Sequence, residues 1–132
     1  MLYRMFSPTK KLFLLLSLVL LLSGCSPLEN QARDLAATSQ GVIQQAQKTH
    51  LAECQANPTK PFPCATINQA VAAQNALIDA AETYCGWPAR PSVAELAASK
   101  GRTCARLQSA STTLSAAVRN LNTLLKDLQG AK

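Results

Sequence analysis

Aromatic residues are scarce in this chain, with one tryptophan, two tyrosines and three phenylalanines among 132 residues. That scarcity removes the stacking platforms, interleaved with basic residues, on which single-stranded nucleic-acid binding rests. Histidine is scarcer still: His50 stands alone. With no G-x-S-x-G, H-E-x-x-H or C-x-x-C, the chain carries no signature of a serine hydrolase, a zinc protease or a dithiol redox pair. Asp79 and Glu82 are spaced i, i+3 and read as ordinary helix-face acids. No stretch alternates apolar and polar residues as a half-buried strand would. Acids are few as well, seven against thirteen lysines and arginines, for a formal charge of +6. The pattern points away from an enzyme and towards an all-helical chain without cofactor, resident metal or nucleic-acid partner.

A long hydrophobic run is also lacking. Leu12–Leu22, interrupted by Ser17, rises only ~16 Å as a helix, about half of a ~30 Å hydrocarbon core. Arg4, Lys10 and Lys11 lie ahead of it and the small residues Ser23 and Gly24 behind it, the three parts of an export signal. The tetrapeptide Leu22-Ser23-Gly24-Cys25 resembles the lipobox of bacterial lipoprotein precursors. The resemblance implies removal of residues 1–24, a diacylglyceryl thioether on Cys25, and fatty acylation, such as palmitoylation, of the new amino group. Each buried methylene contributes ~0.8 kcal/mol and a single chain holds only marginally, so two or three chains give durable anchoring. The expected address is the bacterial cell envelope. Ser26, rather than Asp, follows the cysteine; in enterobacterial members of the class that favours the periplasmic face of the outer membrane over the inner membrane.

Loss of the leader changes the charge. Arg4, Lys10 and Lys11 leave with it while all seven acids stay, so the mature chain carries +3. Arg90, Lys100, Arg102 and Arg106 read as a solvated face or as a mild attraction to anionic headgroups. Residues 25–132 suffice for a single helical domain. Alanine dominates it, and small side chains bury little area each, so at ~25 cal/mol per Å² the core is expected to need further support.

Three S/T-x-x-E/Q patterns open apolar-periodic runs: Ser26-Pro27-Leu28-Glu29, Thr66-Ile67-Asn68-Gln69 and Ser92-Val93-Ala94-Glu95. Each predicts a capping box, in which the first side chain accepts from the third helical N–H and the acid or amide reaches back. Leu35, Val42, Ile43 and Ala46 share one face, and Ile67, Ala70, Val71, Leu77, Ile78 and Ala81 another. Leu107, Leu114, Leu121 and Leu128 recur every seven residues. The proline-rich segments 57–63 and 86–91 connect the helices, and Gly101 after Lys100 predicts a helix end. The expected architecture is a small, disulfide-stapled antiparallel bundle with helices at about 27–56, 66–85, 92–100 and 102–129. One continuous helix from 92 to 129 is the alternative.

Four cysteines remain beside Cys25, an even number in a short exported chain. Cys64 and Cys85 sit at opposite ends of one helix, ~30 Å apart, and cannot share an end. The hairpin order therefore pairs Cys54 with Cys64 and Cys85 with Cys104. Each bridge closes a short loop, worth ~3 kcal/mol in the chain-entropy model. His50 and Cys54 have the i, i+4 spacing of two metal ligands, but two cysteines and one histidine fall short of a closed site.

These readings converge on a non-enzymatic, lipid-anchored envelope protein that presents a rigid bundle for interaction or support. Trp87 in the Cys85-Gly86-Trp87-Pro88 turn is either a partner-binding anchor or the cover of the adjacent disulfide. The leucine seam, at Leu121 and Leu128 above all, is either buried within the monomer or, if it outruns the other helices, serves a second copy or a coiled-coil partner. The heptads and Lys132 also resemble helical outer-membrane lipoproteins of the murein-lipoprotein kind. That resemblance covers the lipobox, the heptads and Lys132 only, and implies a wall tether through the Lys132 amine. A small-ligand or lipid carrier is a further alternative, for which closely packed alanine-rich helices leave little room. With a helix predicted to start at Ser26, almost no flexible tether separates lipid from bundle.

Overall fold

The computed structural model describes residues 27–130. Cys25, Ser26 and Lys132 lie outside the described residues. Five helices follow one another: α1 Leu28–Thr49, α2 Leu51–Ala56, α3 Thr66–Cys85, α4 Val93–Ala97 and α5 Gln108–Gly130. Among the described residues there is no strand, and no helix is long and apolar enough to cross a membrane. Helices α1, α3 and α5 run antiparallel as a three-helix bundle, with α4 packed against the start of α1.

Small residues let the helices approach closely. Ala32, Ala36 and Ile43 from α1 meet Ala70, Ala73, Leu77, Ile78 and Ala81 from α3 and Leu114, Leu121 and Leu125 from α5. Leu77, Leu114 and Leu121 are fully buried. One polar crosslink pins α1 to α3. Ser39, with no exposed surface, donates to the Ala36 carbonyl at 3.0 Å and accepts from Gln74 Nε2 at 2.9 Å. Both hydroxyl roles are thereby satisfied, as burial demands.

The elements depart from expectation in four places. First, α1 stops at Thr49: His50 leaves helical geometry (φ −108°, ψ 14°) and the chain restarts as α2. No glycine or proline breaks it; the reset coincides with Cys54 meeting Cys64, a tertiary demand that overrides local propensity. Second, the box expected at Thr66 does not form. Ala65 is already helical (φ −63°, ψ −38°), so Thr66 lies inside the helix and its hydroxyl donates to the Pro61 carbonyl at 3.2 Å. Third, α1 has Pro27 as its N-cap, and Glu29, which a box from Ser26 would use, pairs with Arg106 instead. Among the described residues Ser92 forms its box, taking the Glu95 N–H at 3.1 Å while Glu95 accepts the Ser92 N–H at 2.8 Å.

The fourth departure shapes the molecule most. The last helix begins at Gln108, not Arg102, and α4 ends at Ala97. Residues 102–107 form an extended strap against the end of α3, with Ala105 N–H donating to the Cys85 carbonyl at 3.0 Å and Leu107 N–H to Tyr84 at 2.9 Å. Cys104, bonded to Cys85, lies in this strap rather than in a first helical turn. Gly86 in the left-handed region (φ +67°) ends α3 with paired bonds, Trp87 N–H to Glu82 and Gly86 N–H to Thr83. This is the double closure that glycine makes at a helix C-terminus.

Candidate functional site

Both ends of the bundle carry chemistry, and the antiparallel order decides what each holds. The proximal end gathers the start of α1, the end of α3, α4 and the strap. It is the end next in sequence to Cys25. Arg33, 8% exposed, lies at its centre. Its Nε donates to Ser99 Oγ at 2.8 Å, Nη1 to Asn30 Oδ1 at 2.6 Å and Nη2 to the Arg102 carbonyl at 3.4 Å. One side chain thus ties α1 to the residues after α4 and to the strap. Glu29 is buried beside it and accepts from Arg106 Nε at 2.6 Å, while its second oxygen, Oε2, has no partner among the described residues. Arg106 adopts positive φ (55°), a conformation that disfavours a Cβ, in order to make this pair.

Trp87 belongs to the same end and is 8% exposed. Its indole N–H donates to the Thr103 carbonyl at 2.8 Å, and the Arg102 guanidinium lies 4.4 Å over its ring. Of the two readings of Trp87, the buried one fits: the residue covers the bundle end and fastens the strap rather than standing out as an anchor. Arg90 secures the preceding loop to α3 through Asp79 at 2.5 Å and Asn75 Oδ1 at 3.3 Å.

For the leucine seam the structure gives the alternative of burial within the monomer at Leu114 and Leu121. Leu114 and Leu121 have no exposed surface because the third helix of the bundle occupies the groove between α1 and α3. Leu121 is core, not a partner contact. Leu128 is half-buried and lines a shallow cleft with Val42, Ala46, Thr49 and His50, which places the end of α5 beside the end of α1. Leu107, the first of the series, is 45% exposed because the strap holds it outside the helix.

The distal end holds the other bridge. Cys54 and Cys64 are bonded with their Cα atoms 5.4 Å apart, and Cys85 and Cys104 with theirs 4.1 Å apart. Cys54 is thus committed to sulfur, and the metal pair considered with His50 is not assembled. Among the described residues no three His, Cys, Asp or Glu side chains gather as metal ligands. His50 Nδ1 instead meets Glu53 Oε2 at 3.2 Å, and Lys60 closes on the other Glu53 oxygen. The Lys60 hydrogen bond foremost holds the Glu53 carboxyl below its ordinary value; desolvation opposes it, and His50 adds a lesser lowering effect.

The distal end also shows what sequence reasoning missed. Leu51 is 56% and Phe62 38% exposed. Leu51 borders a cleft of 420 Å³ shared with Gln47, Cys54, Pro58, Cys64, Ile67 and Asn68. The signal for Phe62 was present, an aromatic residue between two prolines in a short connection that has no core to enter. Leu51 carried none, because a continuous helix would have turned it differently. No known protein family, curated protein or solved structure matches the chain.

Proposed function

We propose that this chain is a non-enzymatic lipoprotein of the bacterial cell envelope, anchored through lipid on Cys25, which holds a rigid, disulfide-stapled bundle at a membrane surface. The observation that carries the reading is the lipobox at Leu22–Cys25, whose cysteine stands two residues before the N-cap of α1. With so short a connection, orientation of the lipid and orientation of the bundle are coupled. Helix α1 then rises ~33 Å from the anchor before the break at His50. The distal end, with Leu51 and Phe62 exposed beside the cleft, is the surface held out towards an envelope protein. Ser26 supports the periplasmic face of the outer membrane as the place.

Labelling with radioactive palmitate in a bacterial host tests the anchor. The mature chain should take up label and float with membranes, and Cys25→Ser should do neither. A Cys25→Ser protein that still floats as the wild type does would refute the reading.

A second reading, attachment of Lys132 to peptidoglycan, draws on one observation: α5 runs away from the start of α1 and reaches Gly130 at the distal end. Lipid and wall linkage would then sit at opposite ends of a spacer. Mass spectrometry of lysozyme-released muropeptides decides it, since the linkage requires a Lys132 peptide among them.

A further inference from the structure

The strap that displaces the start of α5 has a composition unlike the rest of the domain. Residues 100–107 include Lys100, Arg102 and Arg106 and no acid, and Leu107 follows directly. All four side chains are exposed. Bonding among the described residues leaves two of these cations without a carboxylate: Arg106 pairs with Glu29, whereas Arg102 rests on the Trp87 ring and Lys100 meets no acid. Two exposed acids stand nearby, Asp34 on α1 and Glu95 on α4, and Glu95 is occupied in the Ser92 cap.

The strap is also fixed in place. Arg33 bonds the Ser99 hydroxyl and the Arg102 carbonyl, and Arg106 bonds Glu29, all from the first two turns of α1. Cys25 lies four residues before Glu29, a reach of at most about 14 Å of extended chain. Wherever the lipid on Cys25 enters a bilayer, the strap is held close to the headgroup layer.

We propose that the Lys100–Leu107 strap is a second membrane-contact site, which sets Lys100 and Arg102 against anionic phosphate headgroups and Leu107 at the boundary with the acyl chains. The inference rests on the lipid-anchor reading above. Cations near an anionic leaflet each raise surface partitioning roughly fivefold. The short connection to the lipid restricts the bundle at one point, and a second contact on the same end fixes its axis relative to the membrane. The pair of exposed Arg106 with buried Glu29 and the Arg33 bonds then transmit that orientation to α1, and so to the distal end.

Trp87 is the sole tryptophan and is bonded to the strap, so its fluorescence reports on this place alone. Mature lipidated protein is reconstituted into phosphatidylcholine vesicles carrying a headgroup nitroxide quencher, with or without phosphatidylglycerol. Mass spectrometry of the N-terminal peptide first establishes lipid on Cys25; its absence would overturn the anchor reading and this proposal with it. With lipid present, Trp87 should be quenched more strongly when phosphatidylglycerol is included, and high salt should reverse the difference by screening. Lys100→Glu combined with Leu107→Ser should reduce the headgroup-bound fraction roughly fivefold or more, with unchanged far-ultraviolet circular dichroism. Quenching indifferent to phosphatidylglycerol, or unaltered in that double variant, would overturn the strap proposal while leaving the anchor intact.

Discussion

The two ends of this bundle solve the same problem, joining helices across a proline-rich connection, by different means. At the proximal end a disulfide is only one of several fastenings. Arg33 spans three segments, Trp87 holds the strap, Arg106 covers a buried carboxylate, and Leu96 is buried at 1% exposure under α4. At the distal end the Cys54–Cys64 bridge is joined by a surface ion pair, and Leu51 and Phe62 are left in solvent. On the proposed lipid-anchor reading, the proximal end serves as a rigid base and the distal end as a displayed surface. That asymmetry is what an anchored post requires, because orientation must be fixed at the base and contact made at the tip.

Truncating a leucine at each end is the strongest way to break the comparison. Leu96→Ala should cost ~2–5 kcal/mol in denaturant unfolding, since it opens a cavity under α4 where the Arg33 bonds limit collapse. Leu51→Ala should cost within ~0.5 kcal/mol, because the side chain is already in water. Equal costs would show that the distal patch is core, and would remove it as a surface for a partner.

Removing one bridge at a time sharpens the contrast. The chain-entropy model gives ~3.2 kcal/mol for the longer Cys85–Cys104 loop and ~2.7 kcal/mol for Cys54–Cys64. The equilibrium difference is therefore small. The local consequences should differ: Cys54→Ala with Cys64→Ala should expose the 57–63 connection to protease, whereas Cys85→Ala with Cys104→Ala should leave the strap protected by Trp87 and Arg33. Faster cleavage in the strap than in the distal loop would reverse the assignment of base and tip.

Arg106→Ala should cost ~1–3 kcal/mol, because it strands the buried Glu29 carboxylate with neither oxygen paired. Arg106→Ala combined with Glu29→Gln should recover part of that loss by removing the unpaired charge. A full loss in the double variant would mean that Arg106 acts through strap conformation and not through Glu29.

What the sequence shows and what it hides follows the same division. Helical periodicity and hairpin order were enough for the helical class and for both disulfide pairings, because each is set by spacing along the chain. The capping boxes were legible only where nothing competed: Ser92 is exposed and free to cap, whereas Glu29 is drawn to Arg106 and Thr66 is overtaken by a helix already begun at Ala65. The strap was illegible because residues 102–107 have no breaker beyond Gly101; they are extended through pairing with Cys85 and Tyr84, contacts of long separation. Trp87 and Leu121 stay open in the sequence, between a partner contact and burial in the same chain, for the opposite reason. Large apolar residues are legible as important, but whether a partner or the same chain covers them depends on the third dimension.

The smallest expected effect concerns acid, and it separates the ends by their chemistry. Lys60 and His50 lower the Glu53 carboxyl in the folded protein, so the ion pair supports the folded state above the unfolded carboxyl value and that support is lost as pH falls through the lowered folded value. The distal connection should thus be held at neutral pH and released in acid below the ordinary value of 4.5. The Arg33 bonds to Asn30, Ser99 and the Arg102 carbonyl contain no carboxylate. Nuclear magnetic resonance titration should show the Glu53 midpoint rising towards the ordinary value in Lys60→Met, because the Lys60 hydrogen bond is the largest cause of the lowering. Amide protection, taken relative to the intrinsic exchange rate at each pH, should fall at Thr59 and Lys60 in acid while that of Ser99 and Arg102 holds. An unmoved Glu53 midpoint would show that the pair does not persist in solution, leaving the Cys54–Cys64 bridge to hold the tip without it.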